Sequence, residues 1–188
     1  MTHDLPSVRA TLLSDGVVGL RRPEPIDAPY YLSMRNNLAL VSAVMGFRLG
    51  VTEHAIEQWI AQGGVTGDDL LFTAVLIEGA HRPVGYVKLF RVDRFSRHAW
   101  LGLSLFDEAD AGRGIGRRIM TQACDYLRDF LAVRKVSLEV LATNARARSL
   151  YAALGFVEEG RMASQFYTEG RFDDVLILSR FLSAPECR

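Results

Sequence analysis

A glycine-rich segment in the second half of the chain has the composition of an anion-binding loop. Residues 111–118 read Ala-Gly-Arg-Gly-Ile-Gly-Arg-Arg and precede a predicted long helix. Glycines let backbone amides approach an anion closely, and the unpaired amides and the dipole at a helix N-terminus favour a phosphate there. The segment therefore predicts a phosphate site, although a tight turn without a ligand would use the same residues.

The spacing of these glycines argues against two common nucleotide-binding loops. A GxGxxG dinucleotide fingerprint needs a third glycine where Arg117 or Arg118 stands, and no parallel βαβ unit is predicted before the loop. A P-loop needs a Gly-Lys pair followed by Ser or Thr, and this loop contains neither a lysine nor a hydroxyl residue. Neither a Rossmann dehydrogenase nor nucleotide hydrolysis is expected.

A second motif follows the glycine loop. Residues 138–144 read Leu-Glu-Val-Leu-Ala-Thr-Asn, and residues 149–156 read Ser-Leu-Tyr-Ala-Ala-Leu-Gly-Phe. Together with Gly114-Ile115-Gly116, these segments resemble the GNAT superfamily of N-acetyltransferases, in which a phosphate loop precedes a long helix and a later strand and asparagine precede an LYxxLGF helix. The hairpin at 167–175 is similar to the RimJ/RimL and spermidine acetyltransferase branch, and the resemblance covers about residues 16–182.

The resemblance implies a fold and a cosubstrate. The fold would be α/β (α+β), with a mixed, mostly antiparallel sheet of about seven strands, flanked by about four helices and opened into a V-shaped splay. The acetyl-pantetheine arm of acetyl-CoA would lie in that splay, and no metal is expected. The implied cofactor-binding residues are Leu103, Ser104, Leu105, Arg113, Gly114, Ile115, Gly116, Arg117 and Asn144.

Two features qualify this assignment. Leu103, Ser104 and Leu105 would equally form plain sheet core, because pantetheine contacts there use main-chain atoms. The family's usual Arg or Gln at the first loop position is Ala111 here, which removes one side-chain contact that packs the loop. Arg113, Arg117 and Arg118 would still be available to meet phosphate charge.

Transfer of an acetyl group from a thioester to an amine requires a proton for the departing thiolate. Tyr151 is the candidate catalytic donor, because a phenol with a free pKa of about 10 is protonated at neutral pH. Asn144 and Tyr151 are seven positions apart, close to two helical turns, so both should project from one side of the helix. An N-cap role for Asn144 and a packing role for Tyr151 are the structural alternatives.

The sequence leaves the catalytic base open. By resemblance, Glu139 corresponds to the glutamate that acts as a base, through a water molecule, in some ribosomal-protein acetyltransferases. We expect Glu139 to be buried in its apolar strand, where a carboxylate needs a hydrogen bond or a catalytic role. Trp100 stands where related enzymes often carry a glutamate, which leaves His98, Ser104 or a water chain as alternatives.

The acceptor is expected to bind between the two N-terminal helices and the final hairpin. Four acidic side chains there would either attract a cationic amine or form a solvated face: Glu53, Glu57, Asp173 and Asp174. Four aromatic residues would either wall a pocket or fill the core: Tyr30, Tyr31, Phe47 and Trp59. The pattern does not choose among a polyamine, another small amine and a protein N-terminus.

Composition argues against several other classes of protein. The 188 residues include 22 basic and 22 acidic side chains, so the chain lacks the positive field of nucleic-acid binders. No run approaches the roughly 20 apolar residues of a membrane span, and no signal peptide is recognised. Cys124 and Cys187 have no metal-ligand or disulfide pattern, which favours a cytoplasmic setting; a homodimer is compatible with the sequence.

A single domain, residues 1–188 with an ordered core at about 16–182, is expected to position these groups. Strands are predicted at 17–21, 71–77, 84–92, 98–106, 135–141, 161–168 and 171–181. Helices are predicted at 26–40, after an N-cap at Thr52, at 115–131 and at 144–154. Antiparallel strands thus come first, followed by alternating helix and strand and a final hairpin.

We therefore expect an N-acetyltransferase that uses acetyl-CoA and a primary amine, by direct attack in a ternary complex. A covalent enzyme intermediate has little support, because Cys124 is predicted in mid-helix, away from any histidine. The alternative is a non-catalytic sensor that binds acyl-CoA, motivated by Ala111 and Trp100. Tyr151 argues against a sensor, since a pure binder needs no proton donor.

Overall fold

Alternating apolar residues form one eight-stranded sheet in the order β1-β2-β3-β4-β5-β6-β8-β7. The computed structural model describes residues 10–46, 49–64, 69–78, 81–168 and 170–182. The strands are β1 Leu13–Ser14, β2 Val18–Arg21, β3 Leu70–Leu76, β4 Pro83–Asp93, β5 His98–Leu105, β6 Lys135–Leu141, β7 Val157–Thr168 and β8 Arg171–Phe181. The α-helices are α1 Ala28–Arg35, α2 Leu38–Ala43, α3 Glu53–Ala61, α4 Ile115–Asp129 and α5 Ala145–Ala153.

The mixed, mostly antiparallel sheet is confirmed, with one more strand and one more helix in the described residues than the sequence indicated. The extra strand, β1, pairs with β2 through Leu13 and Leu20 and is too short to give a periodic signal.

The prediction of one helix over residues 26–40 was wrong at Asn37. A 3-10 turn at Pro25–Asp27 leads into α1, and α2 begins separately at Leu38. Asn37 has extended backbone angles, and its side chain accepts hydrogen bonds from the amides of Ala39 and Leu40. Asparagine in this conformation is an N-cap, so it starts a new helix instead of continuing the old one.

Two apolar clusters lie on opposite faces of the sheet. One includes the buried face of α4, with Ile119 and Leu127 packed near Val87 and Leu89 of β4. The other lies beneath α1 and α3 and includes Tyr31. Tyr86 packs against this second cluster, because neighbouring residues of a strand point to opposite faces.

The predicted splay is present between β5 and β6. These strands are parallel and pair only at three positions, from His98 with Lys135 to Trp100 with Ser137. Beyond them, β5 continues to Leu105 paired with β4, while β6 continues to Leu141 paired with β8. The facing edges of β5 and β6 therefore offer main-chain donors and acceptors that no described strand occupies.

Across the described ranges, no helix is both long enough and apolar enough to cross a membrane.

Candidate active site

The glycine loop starts α4 as predicted. Gly114 is the N-cap and has a φ of +78°, a left-handed conformation that glycine adopts without strain. The Arg118 amide donates to the Gly114 carbonyl at 3.2 Å, which begins the helical hydrogen-bond series. The amides of residues 115–117 precede that bond and have no intrahelical acceptor. They form the donor set that an anion at this helix end requires.

Two arginines of the glycine-rich segment form ion pairs with carboxylates. Arg113 donates to Asp110 at 2.8 Å, and Arg118 donates to Asp15 at 2.8 Å. In the described conformation carboxylates hold both side chains, and the expectation that these arginines meet phosphate charge stays a prediction. Arg117 does line the cleft, and its guanidinium lies 3.4 Å from the Ala153 carbonyl.

A cleft of about 290 Å³ lies between the end of β5, the glycine loop and the start of α5. Most of the predicted cofactor-binding residues line it: Leu103, Ser104, Leu105, Gly114, Gly116, Arg117 and Asn144. Ile115 contributes no side chain, because that side chain is 3% exposed and belongs to the core. Gly116 sits at a narrow point, where an added Cβ would lie 3.2 Å from Leu150 Cδ2.

Asn144 and Tyr151 share the walls of this cleft, which confirms that they project from one side of α5. Asn144 Oδ1 accepts from the Ala147 amide at 3.1 Å, so the side chain is an N-cap. Its Nδ2 has no partner in the described part of the chain and is available to a ligand. Capping α5 and lining the site are therefore not exclusive roles for Asn144, because its amide oxygen and its amide nitrogen can serve different partners.

Tyr151 is buried, at 7% exposure, and its ring packs near Phe156 at a centroid distance of 5.9 Å. Burial raises the pKa of Tyr151 to about 12. Its hydroxyl has no hydrogen-bond partner among the described residues, although the side chain lines the cleft. A protonated phenol therefore reaches the gap without another protein group competing for its proton.

Glu139 is exposed, which corrects the expectation of a buried carboxylate. Its position in β6 lies beyond the last residue that pairs with β5, so no strand covers it on that side. Glu139 lines a smaller cavity of about 110 Å³, together with Tyr86, Gly102, Asn144 and Tyr151. The carboxylate thus opens onto the same gap as the phenol.

The two alternative bases lie elsewhere. His98 is at the closed end of the gap, and its Nε2 is 2.8 Å from Ser137 Oγ. Burial, followed by the charge of Lys135, lowers the pKa of His98. Ser104 lines the cleft, but it is buried and its Oγ donates to the Leu105 carbonyl at 3.0 Å. Neither His98 nor Ser104 is as exposed to the gap as Glu139.

A further cavity of about 370 Å³ lies between α1, α3, β3 and β4. Tyr31 and Trp59 wall it, with ring centroids 5.2 Å apart, and both also pack in the core. Tyr31 Oη is 3.0 Å from Thr73 Oγ1, and burial raises the pKa of this phenol. The predicted alternatives of pocket wall and core are both true for these rings.

Tyr30 is not among the described residues that line this cavity. Tyr30 packs near Phe106 at 5.9 Å, and Phe47 lies outside the described residues.

The acidic candidates lie outside the three cavities. Glu53 and Glu57 are exposed on α3. Asp173 is buried in the hairpin at 7% exposure, and Asp174 accepts from the Ser164 amide at 2.8 Å. The last contact lies at an irregularity in the β7–β8 pairing, so Asp174 holds the hairpin. The expectation that these carboxylates attract an amine receives no support from their positions.

Three residues of the site had no distinctive sequence signal. Arg146 lines the cleft two positions after the N-cap of α5, where helical spacing alone could have indicated it. Tyr86 lines two of the cavities, and Arg82 fastens Asp110 with hydrogen bonds of 2.9 and 2.8 Å. These last two depend on strand pairings that the sequence does not specify.

Among the described residues, no group of three or more His, Cys, Asp or Glu side chains is arranged to hold a metal ion. Cys124 is buried, and burial raises the pKa of its thiol to about 11. A thiol in that state is a poor nucleophile.

Two curated proteins resemble the chain over part of their length. Spermidine N(1)-acetyltransferase from Vibrio cholerae is 32% identical over 116 residues, which cover 59% of this chain and 66% of that protein. An uncharacterized prophage-derived N-acetyltransferase, YokL of Bacillus subtilis, is 26% identical over 119 residues, covering 63% and 65% respectively. The chain thus matches slightly less than two thirds of each relative's length.

Solved structures resemble the fold over most of the chain. Spermidine N-acetyltransferase from Vibrio cholerae, in complex with CoA and spermine, has a TM-score of 0.79 at 23% identity and covers 89% of this chain and 96% of its own. A probable acetyltransferase has a TM-score of 0.78 at 19% identity, covering 92% and 97%. At these identities the likeness establishes the fold.

Family membership follows from the sequence profile of the acetyltransferase (GNAT) family, which matches residues 44–156. That range exceeds half of the chain and contains β5, the glycine loop, α4, β6 and α5, the elements that build the gap. The chain belongs to the GNAT acetyltransferase family.

Proposed function

We propose that this protein is an N-acetyltransferase that transfers an acetyl group from acetyl-CoA to a primary amine. The observation that carries the proposal is the gap between β5 and β6. The cleft that adjoins this gap reaches the free amides of the α4 N-terminus, and the unpartnered phenol of Tyr151 lines both the gap and the cleft. Anion binding and proton donation are thus combined along one cleft.

The residues of the cleft fit a bound acetyl-CoA. The main-chain amides from Arg113 to Arg117 would hold the pyrophosphate, and Arg117 and Arg146 would add positive charge. Main-chain groups at Leu103, Ser104 and Leu105 would pair with the amides of the pantetheine arm, as an added strand does. When bound, the cosubstrate supplies the acyl thioester.

Asn144 and Tyr151 would act on the far end of that arm. Asn144 Nδ2 would donate to a pantetheine carbonyl while Oδ1 keeps capping α5. Tyr151 would hold its proton until the sulfur departs and then donate it from the phenol oxygen. The raised pKa, about 12, keeps the phenol protonated across neutral and moderately alkaline pH.

Glu139 would accept the proton of the incoming amine through a water molecule. Its exposed carboxylate opens onto the smaller cavity that Asn144 and Tyr151 also line. A direct base on β5 is absent, because Trp100 occupies that part of the strand. Direct attack then uses two groups that line one cavity, Glu139 to remove a proton and Tyr151 to return one.

The proposal also covers the localisation and the oligomeric state of the protein. We propose a single acetyltransferase domain in the cytoplasm, because the buried Cys124 is unpaired, as is usual in a reducing compartment. A homo-oligomer is also proposed, since a similar structure, the spermidine N-acetyltransferase of Vibrio cholerae, is described as dodecameric. Relatives that act on spermidine make a polyamine one acceptor to test among small amines and peptide N-termini.

An acetyl-CoA consumption assay with a panel of primary amines tests the function. We expect turnover with at least one amine and formation of its N-acetyl product. Saturable CoA binding without turnover on any amine would contradict catalysis and support a non-catalytic acyl-CoA sensor.

A further inference from the structure

The cavity beneath α1 and α3 is in the right place for the acceptor. The smaller cavity beside Glu139 shares Asn144 and Tyr151 with the cosubstrate cleft. It also shares Tyr86 with the larger cavity of about 370 Å³. An amine near Glu139 would therefore carry the rest of its molecule past Tyr86 into the space beneath α1 and α3.

The walls of that space are mainly aromatic and aliphatic. Tyr31, Trp59 and Tyr86 supply three rings, with Tyr31 at 5.2 Å from Trp59 and 5.8 Å from Tyr86. Met34 and Ile56 add aliphatic surface. Cavities of this size and composition bind small molecules with an apolar body and a few polar groups.

The charge of the same walls is positive. Among the described lining residues, Arg35 and Lys88 are the charged side chains. Lys88 is neutralised by Asp69, at 2.8 Å. Arg35 has no ion-pair partner in the described part of the chain, so its guanidinium is available to an anion.

Arg35 shares this cavity with Tyr86, which also borders the reaction end. Burial raises the pKa of Tyr86, and the charge of Arg35 opposes that rise. The guanidinium and the phenol line the same cavity. Because Tyr86 also borders the Glu139 cavity, an anion bound to Arg35 would lie in the space that adjoins the site of the reacting amine.

These walls suit a polyamine poorly. A polyamine keeps further ammonium groups after one nitrogen has reacted, and these need carboxylates or other acceptors when desolvated. In the described lining of the two acceptor-side cavities, Glu139 is the acidic residue, and the proposed mechanism already uses it. The unpaired cation, Arg35, would repel a second ammonium group.

We propose that the acceptor is a primary amine with an apolar side chain and a carboxylate close to the amine, as in an aromatic or aliphatic amino acid. The carboxylate would bind Arg35, and the side chain would lie between Tyr31, Trp59 and Tyr86. The amine would point toward Glu139 and Tyr151. This inference rests on the proposed acetyltransferase function and specifies its acceptor.

Four probe acceptors separate the charge requirement from the apolar one: L-phenylalanine, L-phenylalaninamide, phenethylamine and spermidine. L-Phenylalaninamide carries a neutral amide in place of the carboxylate, and phenethylamine has no group at that position. At saturating acetyl-CoA, we expect kcat/KM for L-phenylalanine to exceed that for each of the other three by about tenfold or more. Equal or higher values for the amide would indicate a peptide N-terminus and overturn the proposal, as would a preference for spermidine or phenethylamine.

Arg35 variants identify the residue responsible. Arg35→Met should raise the KM for L-phenylalanine about tenfold or more, while the KM values for phenethylamine and acetyl-CoA change less than about twofold. Arg35→Lys, which keeps a cation, should recover part of the loss. Arg94→Met makes the same chemical change at an exposed loop position outside the cavities and should alter none of these constants.

The outcomes also separate this inference from the function on which it rests. Unchanged discrimination between L-phenylalanine and phenethylamine in folded Arg35→Met would overturn the acceptor assignment while leaving the acetyltransferase function in place. Bound CoA with no acetylation of any of the four amines, or of the wider panel, would overturn the function and this inference together.

Discussion

Arg82 donates two hydrogen bonds to Asp110, at 2.9 and 2.8 Å, immediately before the glycine loop. Asp110 is buried, whereas the Arg82 side chain is 43% exposed and immediately precedes β4. Arg113, inside the loop, donates to the same carboxylate. The pair therefore ties the loop to the sheet where Ala111 supplies no long polar side chain.

Arg82→Met is expected to raise the KM for acetyl-CoA about tenfold with little change in kcat, because an untied loop presents its amides less accurately. Asp110→Asn discriminates between two roles of the pair. If the pair positions the loop, this variant also raises the KM for acetyl-CoA. If it acted only through charge, removing a carboxylate near the phosphates would lower that KM. Arg128→Met, at the far end of α4, is the matched control and should leave the KM for acetyl-CoA unchanged.

The contribution of the Arg82–Asp110 pair to stability depends on pH. The hydrogen bond from Arg82 lowers the pKa of Asp110 below its ordinary value of 3.8. Stabilisation by Asp110 is therefore complete above about pH 5 and is lost as the pH falls through the lowered value. The difference in Tm between the wild type and Asp110→Asn should be constant from pH 5 to 7 and shrink below about pH 4. A difference that grows on acidification would contradict the assignment.

Gly116→Val should raise the KM for acetyl-CoA by about tenfold or more, because the branched side chain would enter the cleft at its narrow point beside Leu150. Gly114→Ala should act differently. A Cβ there meets open space, but the φ of +78° costs a non-glycine residue roughly 1–2 kcal/mol, so the main effect is a lower Tm.

Gly170→Ala provides the control for that strain, because Gly170 has a φ of +82° and equally open surroundings in the β7–β8 turn. It should lower the Tm similarly without changing acetyl-CoA binding. Unchanged acetyl-CoA affinity in a folded Gly116→Val variant would place the cosubstrate elsewhere.

Glu139→Gln should lower kcat about tenfold or more at neutral pH, because the amide cannot accept the amine proton. The KM for acetyl-CoA should change little. His98→Asn should leave kcat nearly unchanged, since His98 lies at the closed end of the gap and contacts Ser137. A large loss of kcat in His98→Asn with normal turnover in Glu139→Gln would reverse the assignment.

Local signals in the sequence were sufficient for much of the fold. Thr52 Oγ1 accepts from the Ala55 amide at 3.2 Å, as its N-cap position predicts. Gly114 and Asn144 likewise begin the helices that they were expected to begin. Each of these features depends on residues within four positions, so the physical cause is contained in the local sequence. Asn37 carried the same kind of signal and shows that the break between α1 and α2 was predictable.

Features that depend on distant pairings were not predictable. Glu139 is exposed because β5 diverges from β6 after Trp100, and the composition of β6 alone indicates burial. The Arg82–Asp110 pair joins positions 28 residues apart. The cavity that contains Arg35 requires α1, α3, β3 and β4 together, and no local pattern describes it.

Tyr151→Phe tests the central claim most directly, because it removes the phenol oxygen and keeps the buried ring beside Phe156. If Tyr151 protonates the departing thiolate, kcat should fall by roughly 10²- to 10⁴-fold, while the Tm and the KM for acetyl-CoA change little. The loss should grow with pH as solvent protons become scarce. The wild type should show no such decline across neutral and moderately alkaline pH, since its phenol has a pKa of about 12. Wild-type turnover by Tyr151→Phe across that range would contradict the account and leave Tyr151 as a wall of the thioester site.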